Sequence, residues 1–230
     1  MSEQIHLSVY PLVYPLSVVI PTLNAAATLP ATLRSLGAIE DIVVADGGST
    51  DETVRIAAAC GARCLTLAPG RGGQLAGGIA AARHPWLLLL HADTRLEPDW
   101  QQAVRRHMAE PGRAGYFRFA LDSQHWRGRL LQRAVALRCR LFALPYGDQG
   151  LLIARDFYRT VGGYGALPLM EDVDLARRIG RARLAALDAD AVTAAARYRG
   201  RYARRVARNL LCLALYVLGV PPRLLVRVYG

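Results

Sequence analysis

The most constraining stretch of this 230-residue chain is Leu87-Leu88-Leu89-Leu90-His91-Ala92-Asp93-Thr94. Four consecutive leucines between turn-formers predict a strand buried on both faces, as in a parallel sheet covered by helices. The run stops in polar residues, and in open α/β sheets ligands sit outside the carboxyl ends of the strands. If the chain stays extended there, His91 and Asp93 lie two apart and project to the same side. An imidazole beside a carboxylate can hold a divalent cation or touch a diphosphate. A capping Asp and a surface His after a core strand are the plainer reading, and on this stretch alone the two weigh equally.

The flanking sequence repeats the pattern. A buried strand over 16–20 ends in Pro21-Thr22-Leu23-Asn24, and a helix over 28–36 is closed by Gly37. A second strand, 42–45, ends in Asp46-Gly47-Gly48-Ser49. Ser49 with Glu52 three residues on predicts a capping box for a helix reaching Ala59. A short strand over 63–67 leads into the glycine-rich segment 69–74, and a helix over 75–83 returns the chain to the leucine strand. Strands alternating with helices through short links predict a doubly wound, mostly parallel α/β sheet. Beyond it the pattern predicts helices over 100–108, 127–144 and 173–179 and strands over 115–121 and 151–154, the latter entered through Tyr146-Gly147-Asp148-Gln149-Gly150. The expected organisation is an extension over 1–15, one α/β domain over 16–200 and a helical C-terminal segment over 201–230. Two prolines in the Val-Tyr-Pro-Leu tandem of the extension argue against a central strand.

Charge is unevenly distributed. All 29 basic residues are arginine, and the formal charge is +11. Residues 1–112 carry eight arginines against ten acidic residues, whereas 113–230 carry 21 against eight. A strongly basic half suits phosphates, an anionic membrane or nucleic acid. The four cysteines have no ligand-like spacing, and the N-terminus has neither the charged nor the apolar part of a signal peptide, so a cytoplasmic setting is expected. The apolar run 210–220 is about half the length needed to cross a bilayer. The helices over 127–144 and 201–220 read either as lying on an anionic membrane, at its inner face, or as a surface helix and a packed C-terminal helix, with a homodimer contact as one use of that surface.

Three polar strand ends, Thr22/Asn24, Asp46 and His91/Asp93, are expected to meet at one sheet edge. Asp46 precedes two glycines, which let a flat ring approach the backbone, so its carboxylate can accept from a base N–H. Gly70–Gly73 with Arg71 predicts a diphosphate cradle at a helix N-terminus. Taken singly, a turn-forming Asp and an ordinary glycine loop explain these segments as well.

In this order, SVVIPTLN, IVVADGGSTDET and LLHADTRLEPDW resemble the GT-A nucleotide-sugar transferases of the large inverting family two. YGDQG, GGYGALPLMEDVDLARRIGR and the terminal TAAARY and LGVPPRLL narrow the resemblance to a bacterial branch associated with radical-SAM/selenodomain and arsenosugar proteins. The resemblance implies a GT-A fold and a metal-dependent inverting hexosyltransferase that moves a sugar from a nucleoside-diphosphate sugar, a UDP-sugar first, to an acceptor hydroxyl, that of a lipid or lipid-linked molecule included. It implies that Asp46 reads the nucleobase and that Pro21, Thr22, Asn24, Gly48, Arg71, Gln74 and Ala92 contact the donor. Arg197 and Tyr198 would close over its diphosphate. Asp93 would bind Mn²⁺ or Mg²⁺, with His91 where the first Asp of an Asp-x-Asp element often stands. Asp172 would be the general base beside Glu171, and Tyr146, Gly147, Asp148 and Gln149 would meet the acceptor. Departures are Ala25 for a common Glu, Ala76 for a common Asn, and Tyr198 for Trp.

Rival classes are weaker. A nucleic-acid binder would interleave its arginines with a stacking surface, so no nucleic-acid partner is expected. A nucleotidyltransferase would carry a basic glycine-rich loop directly after the first strand, where Pro21–Ala27 stands.

Overall fold

The computed structural model describes residues 15–123, 125–165, 167–194 and 202–229. Strands β1 (Leu16–Thr22), β2 (Asp41–Asp46), β3 (Arg63–Thr66) and β4 (Trp86–Leu89) are joined by helices α1 (Leu29–Leu36), α2 (Thr53–Ala59) and α3 (Arg71–Ala81). There follow β5 (Thr94–Leu96), α4 (Trp100–His107), β6 (Ala114–Leu121), α5 (Trp126–Phe142), a 3₁₀ turn (Gly147–Gln149), β7 (Leu151–Ala154), α6 (Arg155–Thr160), α7 (Glu171–Ile179), a second 3₁₀ turn (Arg181–Arg183), β8 (Leu184–Thr193), α8 (Tyr202–Val217) and α9 (Pro222–Tyr229). All eight strands form one sheet in the order β3-β2-β1-β4-β7-β6-β8-β5.

β1 pairs in parallel with β2 on one side and β4 on the other, so the strand order reverses there. Every residue of β1, β2 and β4 is buried, as their continuous apolar runs require. The second half of the sheet is mixed. β7 runs antiparallel between β4 and β6, and β5 antiparallel to β8.

Three local expectations are corrected. The chain does not stay extended after the leucines: it turns at Ala92-Asp93, with the Thr94 amide donating to the His91 carbonyl at 3.2 Å, so the His91–Asp93 alternation does not hold. The glycine-rich segment is not a loop before its helix, because α3 begins at Arg71. Ser49 and Glu52 form no capping box: the Ser49 hydroxyl donates to Asp46, and Asp51 accepts from the Thr53 amide at the start of α2.

At the sheet edge opposite the expected site, Asp41 holds the strand starts together. Its carboxylate accepts from Ser17 Oγ (2.5 Å), the Arg83 amide (2.8 Å) and the Arg63 guanidinium (2.5 Å). Burial pushes its pKa up, but the bonds from Ser17, Arg83 and Arg63 outweigh this and hold it below the usual carboxylate range. A depressed folded pKa means stability that is present above the unfolded value, near 3.9, and is lost as pH falls through the folded one. Asp41→Asn is therefore expected to lower stability at pH 7 by about 3 kcal/mol and to flatten the acid limb of the stability profile, both read by urea titration across pH.

Much of the basic excess serves the fold. The Arg155 guanidinium donates to the carbonyls of Ile79, Ala82 and His84 at the end of α3, and Arg181 donates to those of Arg140 and Leu141 at the end of α5. These arginines satisfy helix-terminal carbonyls that have no intrahelical partner.

The C-terminal helices pack on the domain with their inner face. Cys212 and Leu225 are fully buried, and the Tyr216 hydroxyl lies 3.5 Å from Asp174 of α7 with Arg177 over its ring. No helix among the described residues is long and apolar enough to cross a membrane.

Candidate active site

A cleft of about 730 Å³ opens at the carboxyl ends of β1 and β4, on either side of the point where strand order reverses. This volume is in the range of small-molecule sites. Pro21, Thr22 and Asn24 line it from β1, His91, Ala92 and Asp93 from the turn after β4, Arg71 and Gln74 from α3, and Glu171 from the start of α7. The structure thus gathers most of the residues expected to contact a donor. It adds Leu23, Pro168, Leu169 and Val226, an apolar wall that no sequence pattern singled out.

The loops after β1 and β2 are fastened to each other. The Asn24 amide donates to Ser49 Oγ (2.8 Å), and Asn24 Oδ1 accepts from the Thr50 amide (2.9 Å). The amides of Ala25 and Ala26 donate to Thr53 Oγ1 (2.8 Å) and Asp51 (3.1 Å). Asn24 adopts φ +49°, a conformation its side-chain type tolerates better than most. The polar residues of the loop after β2 therefore hold in place the loop after β1, which lines the cleft.

Asp46 is buried at the end of β2. Oδ1 accepts from Thr22 Oγ1 (2.8 Å) and Ser49 Oγ (2.5 Å), and Oδ2 from the amides of Gly48 (2.9 Å) and Ser49 (2.7 Å). Four donors fill the acceptor sites of a carboxylate. Burial raises its pKa, and the bonds from Ser49, Thr22 and Gly48 more than reverse that, leaving the group ionised below the usual range. Gln74 is equally occupied: Nε2 donates to the Thr22 and Ala45 carbonyls, each at 2.7 Å, and Oε1 accepts from the Gly70 amide at 3.2 Å. It locks the N-terminus of α3 to β1 and β2.

Arg71 reaches Glu171 at 3.3 Å. Glu171 is 3 % exposed, and burial, followed by the neighbouring Asp172 charge, raises its pKa despite Arg71. The next residue faces elsewhere. Asp172 lines a separate void of about 20 Å³ with His91, Tyr146, Gly147 and Tyr164, room for roughly one water molecule. Its Oδ2 accepts from the Gly147 amide (3.0 Å) and its Oδ1 from the Tyr164 hydroxyl (3.3 Å). Burial, then the charges of Asp172 and Glu171, push the Tyr164 phenol well above its ordinary pKa, keeping it a donor. A Cβ on Gly147 would overlap His91 Nε2 and lie 2.7 Å from Asp172 Oδ2, so imidazole and carboxylate meet across a glycine that leaves no space for a side chain. His91 is common to both cavities.

The expected acceptor segment divides. Tyr146 and Gly147 line the void beside Asp172, with the Tyr146 ring stacked 3.6 Å from Arg138. Gln149 is turned inward: Nε2 donates to the Phe117 carbonyl (3.1 Å) and Oε1 accepts from Arg138 (2.9 Å). Asp148 lies between them in the same 3₁₀ turn, with Oδ1 buried. Arg197 and Tyr198 lie outside the described residues. Tyr164 was not anticipated; its place eight residues before Asp172, in the Gly-Gly-Tyr-Gly segment, gives no periodic signal.

A sheet of this order with its cleft at the switch point is a GT-A type of nucleotide-sugar transferase fold. Residues 17–158 match the model of glycosyl transferase family 2, and the chain belongs to that family. It is 32 % identical over 171 residues to a PGL/p-HBAD biosynthesis glycosyltransferase of Mycobacterium bovis, covering 64 % of this chain and 62 % of that protein. The chain thus spans about three fifths of the length of this relative. Among solved structures, glucosyl-3-phosphoglycerate synthase from Mycobacterium tuberculosis, in complex with Mn²⁺, UDP-glucose and phosphoglyceric acid, superposes with a TM-score of 0.58 at 21 % identity, over 90 % of this chain and 80 % of that one. S. aureus TarS in complex with UDP-GlcNAc gives a TM-score of 0.60 at 14 % identity, over 77 % of this chain and 58 % of that one.

Proposed function

We propose that this protein transfers a sugar from a nucleoside-diphosphate sugar, a UDP-sugar in the first instance, to an acceptor hydroxyl with inversion at the anomeric carbon. The observation that carries the reading is a cleft at the switch point lined by Arg71, Asp93 and Glu171, with Asp172, the next residue of α7, in the adjoining void that shares His91 with it. Within the family we place the chain in the branch associated with radical-SAM/selenodomain proteins, on its YGDQG, GGYGALPLMEDVDLARRIGR and LGVPPRLL segments.

The donor's nucleoside lies along the Pro21–Asn24 and Asp46–Gly48 floor. Since Asp46 already accepts four bonds, a base N–H is read either as a shared contact or by displacing the Ser49 hydroxyl. The diphosphate faces the first turn of α3, where the helix dipole and the Arg71 guanidinium favour negative charge. Asp93 suits a divalent cation held jointly by protein and substrate: one carboxylate plus phosphate oxygens is a common Mg²⁺ or Mn²⁺ arrangement. His91 has Nε2 directed at the Gly147–Asp172 side, so Asp93 is the ligand we assign. When bound, the cation supplies positive charge to the leaving diphosphate.

The remaining steps belong to side chains. The acceptor hydroxyl gives its proton to Asp172 as its oxygen attacks the anomeric carbon, and the bond to the diphosphate oxygen breaks. Arg71 stabilises the negative charge that appears there. Gly147 and Tyr164 aim the two Asp172 oxygens. The apolar wall of Leu23, Pro168, Leu169 and Val226 suits an acceptor with an apolar portion, such as a lipid or lipid-linked hydroxyl.

The test is a thermal-shift panel of UDP-, GDP-, dTDP- and CDP-sugars with and without Mn²⁺. A ligand at about 100 times its Kd stabilises by ~2.7 kcal/mol, which a melting curve resolves. We expect a UDP-sugar to raise Tm only with the cation. A panel in which no nucleotide sugar moves Tm, at any cation concentration, rejects the reading.

A further inference from the structure

The outward face of α5 has no part in the site described above. Trp126, Leu130, Leu137 and Leu141 are each more than half exposed. They follow one another at spacings of four, seven and four, which puts them on one stripe of the helix. Gly128, Val135 and Cys139, on the opposite stripe, are buried against the domain. Apolar residues thus occupy both faces, whereas a solvated surface helix would be polar outside. Exposed Arg129, Arg133 and Arg140 flank the outer stripe on one side, and Arg127 flanks it on the other. The helix carries five arginines and no acidic residue.

We propose that this face docks α5 in the plane of an anionic bilayer surface, with Trp126 and the leucines below the headgroups and the flanking arginines among the lipid phosphates. Charge selects this occupant over a second copy of the chain. Two such faces packed together would bring arginine rows against arginine rows, whereas anionic headgroups complement them. An apolar stripe with basic borders, an aromatic residue at one end and low overall hydrophobicity is what an interfacial helix requires. Nucleic acid would need the arginines, not the leucines, at the centre of the face. The inference does not rest on the glycosyl-transfer reading, since it needs no donor, cation or acceptor.

The chain reports on this itself. Trp86 and Trp100 are buried, and Trp126 is 57 % exposed, so a change in tryptophan emission on binding is dominated by Trp126. The full-length protein is titrated with phosphatidylcholine vesicles and with vesicles of phosphatidylcholine mixed with anionic phosphatidylglycerol, at low and at high salt. We expect a blue shift and co-sedimentation with the anionic vesicles only, weakened by salt. Leu130→Glu/Leu137→Glu should abolish both with Tm unchanged. Arg129→Gln/Arg133→Gln/Arg140→Gln should weaken partitioning by roughly a hundredfold, at about fivefold per basic residue near the surface. The proposal is overturned if Trp126 emission is unmoved by anionic vesicles or if the double variant binds them as wild type does. It is equally overturned if Trp126 is already shielded in vesicle-free protein that light scattering shows to be dimeric.

Discussion

Asp172→Asn is expected to cut sugar transfer by ~10² or more while donor affinity stays within about threefold of wild type. The asparagine keeps the shape of the side chain and one oxygen for the Gly147 amide, but it cannot take a proton. Donor binding should be nearly untouched because Asp172 lines the small void with Tyr146 and Gly147, whereas the donor cleft is lined by Glu171. That division also makes the choice between the two carboxylates testable. Glu171 is buried, has its pKa raised, and is engaged by Arg71, so Glu171→Gln should alter donor binding through Arg71 more than it alters the proton-transfer step. Single-turnover transfer and donor titration on both variants separate the roles. Near-normal transfer by Asp172→Asn, with a deep loss in Glu171→Gln, would move the general base one residue back.

Asp93→Asn should remove the cation dependence of sugar-nucleotide binding and weaken that binding by at least tenfold at saturating Mn²⁺, with the fold intact. The residue follows β4 on a turn and is not in the core, so losing its charge leaves the packing of Leu87–Leu90 unchanged. With a single carboxylate assigned to the cation, no neighbouring acid compensates, and a lost charge on a metal-held diphosphate costs several kcal/mol of stabilisation in a water-poor site. Calorimetric titration of UDP with and without Mn²⁺ is the measurement. If the variant binds UDP with the Mn²⁺ dependence of wild type, the cation is held elsewhere. His91→Ala is the companion: with Nε2 beside Asp172, it should lower turnover more than it lowers cation affinity.

The parallel half of the sheet was legible because strands buried on both faces must be apolar throughout. The runs 16–20, 42–45 and 87–90, apolar but for Ser17, announce themselves in that way. The polar residues that end them were legible for the same reason: a polar group after a core strand sits at the sheet edge. β8 escaped notice because Leu-Ala-Ala-Leu-Asp-Ala-Asp-Ala-Val-Thr is alanine-rich, and alanine has little strand preference. It becomes a strand through its pairing with β6, some 70 residues earlier. The antiparallel insertion of β7 is invisible in sequence too, since strand direction depends on how the whole chain returns to the sheet.

The sequence by itself determined the alternation of strand and helix, the family motifs, and the chemical types present at the strand ends, because these depend on local pattern and composition. Only the tertiary structure decided which of those side chains are available. Asp46, Gln74 and Gln149 carry the right atoms, but buried backbone and hydroxyl groups around them need partners and take up their hydrogen-bonding capacity. Glu171 and Asp172 are adjacent in the chain, yet successive residues on a helix point about 100° apart, so one enters the cleft and the other the void beside His91. The meeting of His91 with Asp172 across Gly147 joins three separate segments. It follows from the turn after β4 and the close approach of a 3₁₀ turn, neither of which residue spacing encodes.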